Sequence, residues 1–432
     1  MTGHPISPGP ADPRPQSGGP AGRAGGSTYG SNSAGRLPTG VKSVPRPPRG
    51  RKPPKIGKNG KPRGPLWTKI MIAFGALVLV AAGTAMVFVN TIVDEINNSF
   101  KTVDLLGNTG AQGHDINGAI NMLLVGLDTR ANNPSLGSRA DSIIIAHVPA
   151  THDRVYLISI PRDTSVDIPP FPLTGFKGGS YKVNASFFFG SQNKGGIPGG
   201  FQLLALTLKQ LTGISFDAGL IINFDGFTDI VNKLGGVTMY VDEDTMSLHH
   251  GYVTGHPNEP AKPWTINSDG SPGHRIPGTT PVIYKKGTQH LTAYQALDFV
   301  RCRDFLPHTD YDRQRHQQQF IKALLQEAYD KGINNPTQIS DFLTSLGKAF
   351  TFDPGQDSPG HPRKVSDWIF TLKGISPSSI VTIKTNNGQY VPYTGPAPDD
   401  RQALNADSMT LLRDVTTDTV QNFVAAHPDW VA

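Results

Sequence analysis

Twenty-four consecutive residues of this 432-residue chain, Ile70 to Val93, carry no charge. As a helix rising about 1.5 Å per residue, such a run crosses a hydrocarbon core of roughly 30 Å. It therefore predicts a retained transmembrane helix over 66–93, with Trp67 at the interface and Lys69 snorkelling toward headgroups. A cleaved signal peptide is the alternative; the long preceding segment and the length of the run argue against it. The charge balance changes across the run. Residues 1–69 contain thirteen Lys/Arg and one Asp, a net +12, so the remainder of a chain of net +6 carries −6. The basic side stays cytoplasmic by the positive-inside rule, which puts everything after about residue 94 outside the cell.

Residues 1–65 are rich in Pro, Gly and Ser and show no apolar period, so they read as a disordered basic tail. The tail either lies on anionic lipid, meets a cytoplasmic partner, or is a solvated linker. The basic charge belongs to the tail and no folded DNA-binding pattern is present, so no nucleic-acid partner is expected. The single cysteine, Cys302, excludes an intrachain disulfide and a Cys-based zinc site within one chain.

Beyond a juxtamembrane segment, 94–115, the chain reads as α/β. "INMLLVGLD" (120–128), "SIIIAHV" (142–148) and "RVYLISIP" (154–161) are apolar, branched and strand-like. A helical pattern over 199–213 precedes strands at 219–224 and 236–242, which flank a helix at 225–235. These elements predict a central mixed sheet flanked by helices, an α-β-α sandwich, over 116–335. Residues 244–282 read as a long Gly-, His- and Pro-rich excursion. A capping box, Thr292 to Gln295, opens a helix over 292–301. Residues 336–432 form an extension of further helices and one strand (379–385), either a second lobe or a layer of the same domain.

Three Asp/Arg groups fall at strand ends, where α/β sheets place ligand sites: Asp128–Arg130, Arg139–Asp141 and Arg162–Asp163. Asp128 and Asp141 together suit Mg²⁺, which takes one or two carboxylates and completes its octahedron with water and phosphate oxygens. Each group alone is equally an ordinary turn or surface pair. "RCRDFLPHTDYDRQRHQQQF", residues 301–320, adds four arginines and no lysine. If the chain extends past 301, Arg301 and Arg303 share one side and Cys302 turns into the core. Arg313, Gln317, Phe320 and Leu324 share a helix face, while Arg315 and His316 lie on others. Guanidinium pairs bidentately with phosphate and is easier to bury beside an anion than lysine. The cluster therefore suits a ligand with adjacent phosphates. The alternative is a self-contained lattice with Asp304, Asp310 and Asp312.

Together these stretches resemble the LytR-CpsA-Psr family of Gram-positive envelope proteins. The resemblance rests on "NMLLVGLDTR", "SRADSIIIAHV", "LISIPRDTSVDIP", "YKVNASFFFG", "INFDGFTDIVNKLGGVTMYVD", "GTQHLTAYQALDFVRCR" and "DYDRQRHQQQFIKALL", in that order. Ala140 stands where the family often has Ser, and His316 where it often has Arg. The resemblance implies a Mg²⁺-dependent phosphotransferase that moves a glycopolymer from a polyprenyl-pyrophosphate carrier onto peptidoglycan through a phosphodiester. By the matched motifs, Asp128 and Asp141 would hold the metal. Arg139, Arg162, Arg301, Arg303, Arg313, Arg315 and Gln317 would grip the pyrophosphate, with Lys182 and Asn184 lining the site. Arg162, Arg301, Arg303 and Asp163 would act in catalysis, Asp163 by orienting Arg162 or moving the hydroxyl proton. Phe187, Phe188 and Phe189 are candidates for a lipid groove, or simply core. Hydrolysis of the same carrier, carrier binding without chemistry, or regulation of envelope biogenesis through the basic tail are the alternatives. The Gly- and Ala-containing, low-Lys composition and Pro-rich tail point to a high-GC actinobacterium.

Overall fold

The computed structural model describes residues 93–94, 97–98, 102–111, 113–128, 139–222, 224–267, 271–332, 350–372, 374–396 and 400–431. The basic tail and, but for Val93, the uncharged run lie outside the described residues. Among the described residues no helix is long and apolar enough to cross a membrane.

The core is a six-stranded mixed sheet. Three strands are consecutive and antiparallel: β1 (Ile120–Asp128), β2 (Arg139–Val148) and β3 (Val155–Ser159). After the hairpin β4 (Ser165–Ile168) and β5 (Gly179–Lys182) and the helices α1 (Asn184–Ser191) and α2 (Gly196–Thr212), β6 (Ala218–Ile222) joins β1 in parallel. The two outer strands come from the C-terminal region. β14 (Phe350–Asp353) pairs antiparallel with β6, and β17 (Ile380–Lys384) pairs parallel with β3. Residues after 336 thus complete the sheet as a layer of the same domain.

Alternation along the strands sends side chains into two helical layers. Leu123, Val125, Ile143 and Ile145 face α1, α2 and the C-terminal helices α7 (Ala406–Thr416) and α8 (Val420–Ala426). Leu124, Ile144, Ala146 and Leu157 face the other way, toward Ile321 of α5 (Asp310–Gly332). On that side Trp368 of α6 (Val365–Leu372) packs over Ile120 and Phe352. This is the α-β-α arrangement that the strand pattern predicts.

Two regions differ from the sequence expectation. After α3 (Phe224–Lys233), β7 (Val237–Val241) does not return to the central sheet but pairs with β13 (Gly287–Leu291). Its alternating buried and exposed residues suit a ribbon with one solvated face, whereas central strands are covered on both. The excursion is also more regular than its composition suggests. β8 (Thr245–Val253) lies between β9 (His256–Ala261) and β12 (Thr279–Tyr284), and β10 (Trp264–Ile266) pairs with β11 (Pro272–Arg275). β9 is largely exposed, whereas β8 and β12 are almost wholly buried or half-buried, so the excursion carries a covered layer beneath an open edge. A last short pair, β15 (Gln356–Ser358) and β16 (His361–Pro362), follows β14.

Buried polar side chains lock the C-terminal layer to the sheet. Gln318 of α5 donates to Leu157 O (3.2 Å), Ser159 Oγ (2.9 Å) and Ile383 O (3.3 Å), joining the helix to β3 and β17. Asn386 has a left-handed φ of 54° and makes six hydrogen bonds, to Ser408 (two), Tyr311, Ala403, Asn405 and Gln389. Alanine there would orphan several of these buried partners and keep the strained φ. Asn386→Ala is expected to lower stability by about 2–4 kcal/mol, read as a fall in the urea midpoint with an unchanged slope.

Candidate active site

β1 and β3 end, and β2 begins, at one edge of the sheet. The β1–β2 register slips there: Gly126 faces Ser142 but Leu127 faces Ala140, so Asp141 is the extra residue of a β-bulge. Bulges of this kind re-aim a side chain at a sheet rim. Gly126 is required opposite, since a Cβ there would press within 2.9 Å of Ser142 Cβ.

Asp141 Oδ1 accepts from Arg162 Nη1 at 2.8 Å, just after β3. Arg162 Nε lies 3.6 Å from Asp163 Oδ2 and 3.9 Å from Asp310 Oδ1. Burial disfavours the guanidinium charge, but Asp141, Asp310 and Asp163 outweigh it and raise the Arg162 pKa. Lys182, at the end of β5, reaches Asp163 Oδ1 (3.0 Å) and Asp400 Oδ2 (2.6 Å). Burial opposes its charge too, yet Asp400 and Asp163 raise its pKa. Asn184 opens α1, its backbone N–H on Arg162 O at 3.2 Å and its own Oδ1 buried without a protein partner.

The first turns of α5 close the cluster. Arg313, 6% exposed, forms an ion pair with Asp310 (Nη2–Oδ1 2.5 Å) and donates to Asp141 O (3.1 Å). One turn on, Gln317 accepts from Ser142 Oγ (2.8 Å) and donates to Val300 O (3.3 Å) at the end of α4 (Ala293–Phe299). The predicted capping box is formed at the start of α4. Arg162 Nε, Arg313 Nε and Asp310 Oδ1 are buried without a hydrogen-bond partner. Such polar atoms cost about 1–3 kcal/mol each unless something polar meets them. The edge thus assembles interlocked arginine, lysine and carboxylate groups from five separate chain segments.

The structure brings Asp141, Arg162, Asp163, Lys182, Asn184, Arg313 and Gln317 together. Asp128 ends β1 in register with Arg139, and its side chain lies outside the described residues. Arg139 is exposed, with its guanidinium 5.6 Å from the Phe188 ring centroid. Arg301 is exposed and follows Val300 directly; Arg303 pairs with Asp304 at 3.2 Å. The chain does not extend at this point. Arg301 and Cys302 donate back to Asp298 O (3.0 and 3.1 Å), so the helix tightens into a further turn. Cys302 is a core residue as predicted, and burial pushes its thiol up. Of the lipid-groove candidates, Phe187 is fully buried core, while Phe188 and Phe189 are half-buried.

Arg315 is the exception among the predicted contacts. It turns away from Arg313 to Asp242 (Nε–Oδ2 2.5 Å), Asp312 (Nη1–Oδ1 2.5 Å) and Glu243. Asp242, Glu243 and His316 hold ligand-type atoms within 4.8 Å of one another, but Arg315 already engages both acids. His316 is fully buried and stacks on Phe299 at 4.4 Å. Here Arg315 ties α5 to the β7–β8 turn. The lattice alternative is also visible: Asp304, Asp310 and Asp312 each pair with an arginine of the 301–320 stretch.

Asp310 and Ser142 escaped the sequence analysis as site residues. Asp310 entered only as an acid of the alternative lattice; Ser142 gave no signal. The docking of the C-terminal layer was equally hidden. Gln402 N–H donates to Asp163 O (3.0 Å), and Ser165 N–H donates to Gln402 O (2.7 Å), which holds the Asp163 backbone.

Comparison with known proteins follows the same residues. The model of the LytR_cpsA_psr family matches residues 87–391. The chain is 26% identical over 239 residues to the polyisoprenyl-teichoic acid–peptidoglycan teichoic acid transferase TagU of Bacillus mycoides, covering 55% of this chain and 61% of the relative. It is 24% identical over 260 residues to the transferase of the same description, TagV, of Bacillus subtilis, covering 60% and 56%. The chain thus spans about three fifths of the length of these relatives. The crystal structure of protein gbs0355 from Streptococcus agalactiae has a TM-score of 0.51 at 19% identity, covering 70% of this chain and 88% of that one, and shares the fold.

The Arg315 clamp has a pH signature. Burial raises the Asp242 pKa, but His316 and Arg315 outweigh it and hold the carboxyl well below the usual carboxylate range. A depressed folded value stabilises fully above the unfolded value, about 3.9, and that stability is lost as pH falls toward the folded value. Asp242→Asn should therefore flatten the fall of the urea midpoint below about pH 4. An unaltered acid limb would remove Asp242 as its source.

Proposed function

The chain belongs to the LytR-CpsA-Psr family, and from that premise we propose that it transfers a glycopolymer from a polyprenyl-pyrophosphate carrier to a peptidoglycan hydroxyl. A sugar hydroxyl oxygen attacks the phosphorus that bears the glycan. The new P–O bond forms the phosphodiester, the pyrophosphate P–O bond breaks, and a lipid monophosphate leaves. The observation that carries this reading is the convergence of Arg162 and Arg313 on Asp141 at the strand edge, with unpartnered guanidinium nitrogens on both. Forked cations of this kind suit the charge that builds on phosphate oxygens during transfer. The relatives described as teichoic acid transferases support the same chemistry.

In this reading Arg162, Arg313, Arg301, Arg303 and Arg139 bind the pyrophosphate, with Lys182, Asn184 and Gln317 at its margin. Asp163 orients Arg162 and takes the hydroxyl proton, which its contacts with Arg162 and Lys182 support. The donor set fits a hard cation: Asp141 offers a carboxylate from the bulge, and Asp128 ends the neighbouring strand. Mg²⁺ held by these two residues would neutralise phosphate charge. The uncharged run 70–93 and the basic tail before it support a single membrane anchor, with a cytoplasmic tail and the folded domain outside.

The test is reconstitution of the full chain with polyprenyl-pyrophosphate glycan, peptidoglycan and Mg²⁺, followed by detection of the covalent conjugate. Arg301 is exposed, so Arg301→Ala leaves the fold intact and is expected to lower transfer about a hundredfold or more. Normal transfer by this variant would remove it from the clamp, and release of free glycan phosphate without conjugate would point to hydrolysis. Asp141→Asn is expected to shift the Mg²⁺ titration to higher concentration; an unchanged titration would exclude it as a ligand.

A further inference from the structure

Residues 168–216 contain four lysines and no Asp or Glu, in an outer region that otherwise carries a net negative charge. They span the last residue of β4, the tip of the hairpin, β5, α1 and α2; the hairpin's one acid, the exposed Asp167, lies in β4 away from the tip. The hairpin tip folds against the α1–α2 turn, where Asn193 Nδ2 donates to Thr174 O at 2.8 Å. Three large apolar side chains stand in water on this surface: Leu173 (48% exposed), Ile197 (44%) and Tyr181 (42%). Beneath them Phe189 stacks on Phe176 at 4.3 Å and meets Tyr181 edge-on at 4.9 Å. Phe188 continues the row at 5.5 Å and carries Arg139, so the patch runs into the cationic edge of the sheet. Lys177 and Lys194 are exposed beside it.

A contiguous apolar patch that a monomer leaves open marks an interaction surface. The partner's chemistry follows from what surrounds it. Aromatic and aliphatic side chains flanked by Lys177 and Lys194, with no acid from 168 to 216, match the apolar-to-anionic gradient of a lipid headgroup region. A protein partner would more often call for mixed charge at the rim. We propose that the β4–β5 tip and the α1–α2 turn dock on an anionic bilayer. Leu173, Ile197 and Tyr181 enter its interface, and Lys177 and Lys194 face the headgroups. Docking there sets the cationic sheet edge at headgroup depth, where a lipid carrier presents its pyrophosphate. The surface itself is inferred independently of the transfer reading.

The full chain tests this in vesicles of phosphatidylglycerol or phosphatidylcholine containing spin-labelled lipid. Cys302 is buried, so a maleimide fluorophore reports from Leu173→Cys, with Tyr240→Cys on β7 (54% exposed) as the water reference. The 173 label is expected to shift to the blue and to be quenched by lipid in phosphatidylglycerol, well above the 240 label. Lys177→Glu with Lys194→Glu should abolish most of that quenching, since each lysine near an anionic surface favours docking about fivefold. A 173 label quenched no more than the 240 label overturns the proposal. So does a label shielded equally in both lipids and indifferent to the lysine changes, which would mean that protein covers the patch. Transfer measured on detergent-solubilised carrier needs no docking, so its success alongside a water-exposed label would sink this surface and leave the transfer reading standing.

Discussion

The pairing of Arg162 with Asp141 is the contact on which the site's architecture depends. A guanidinium drawn this far from water is stable only when several carboxylates meet it, and here they come from three places: the β2 bulge, the residue after Arg162 itself, and the start of α5. That requirement binds the sheet edge to the helix. Arg313 completes it from α5 by reaching back to the Asp141 carbonyl. The charges hold one another in place at the strand edge.

The helix that supplies Arg313 must itself be fixed. Gln318, one residue past Gln317, bonds β3 and β17 from the opposite side of α5, and Arg315 clamps the same turn to the β7–β8 corner. Successive residues of one helix thus serve different ends: 313 and 317 face the site, 315 and 316 the hairpin layer, and 318 the sheet. Behind them, Asn386 links Tyr311 to the C-terminal helices, so the layer formed after residue 336 supports the active edge.

Much of this was legible in the chain. The three leading strands end in acid–arginine pairs because strand termini project polar residues where the apolar run stops, and that pattern survives in one dimension. Arg162, Asp141 and Arg313 were readable for that reason, as was the capping box of Thr292. The acids that Arg315 meets were not readable, because spacing along a helix says which face a residue shares, not which acids wait opposite. Asp242 and Glu243 reach it from about seventy residues away.

The sequence by itself determined the class of the fold, where its three leading strands lie along the chain and the kind of charged residues the site would carry. Apolar alternation and the choice of arginine over lysine are local properties, each written residue by residue. Only the tertiary structure decided how those charges divide. Closing the sheet with β14 and β17 and bending β2 at Asp141 depend on backbone pairing between distant segments, which has no local signature. The same is true of the open apolar surface around Leu173: its residues look like core in the chain, and only the packing of the hairpin on the α1–α2 turn leaves them facing outward.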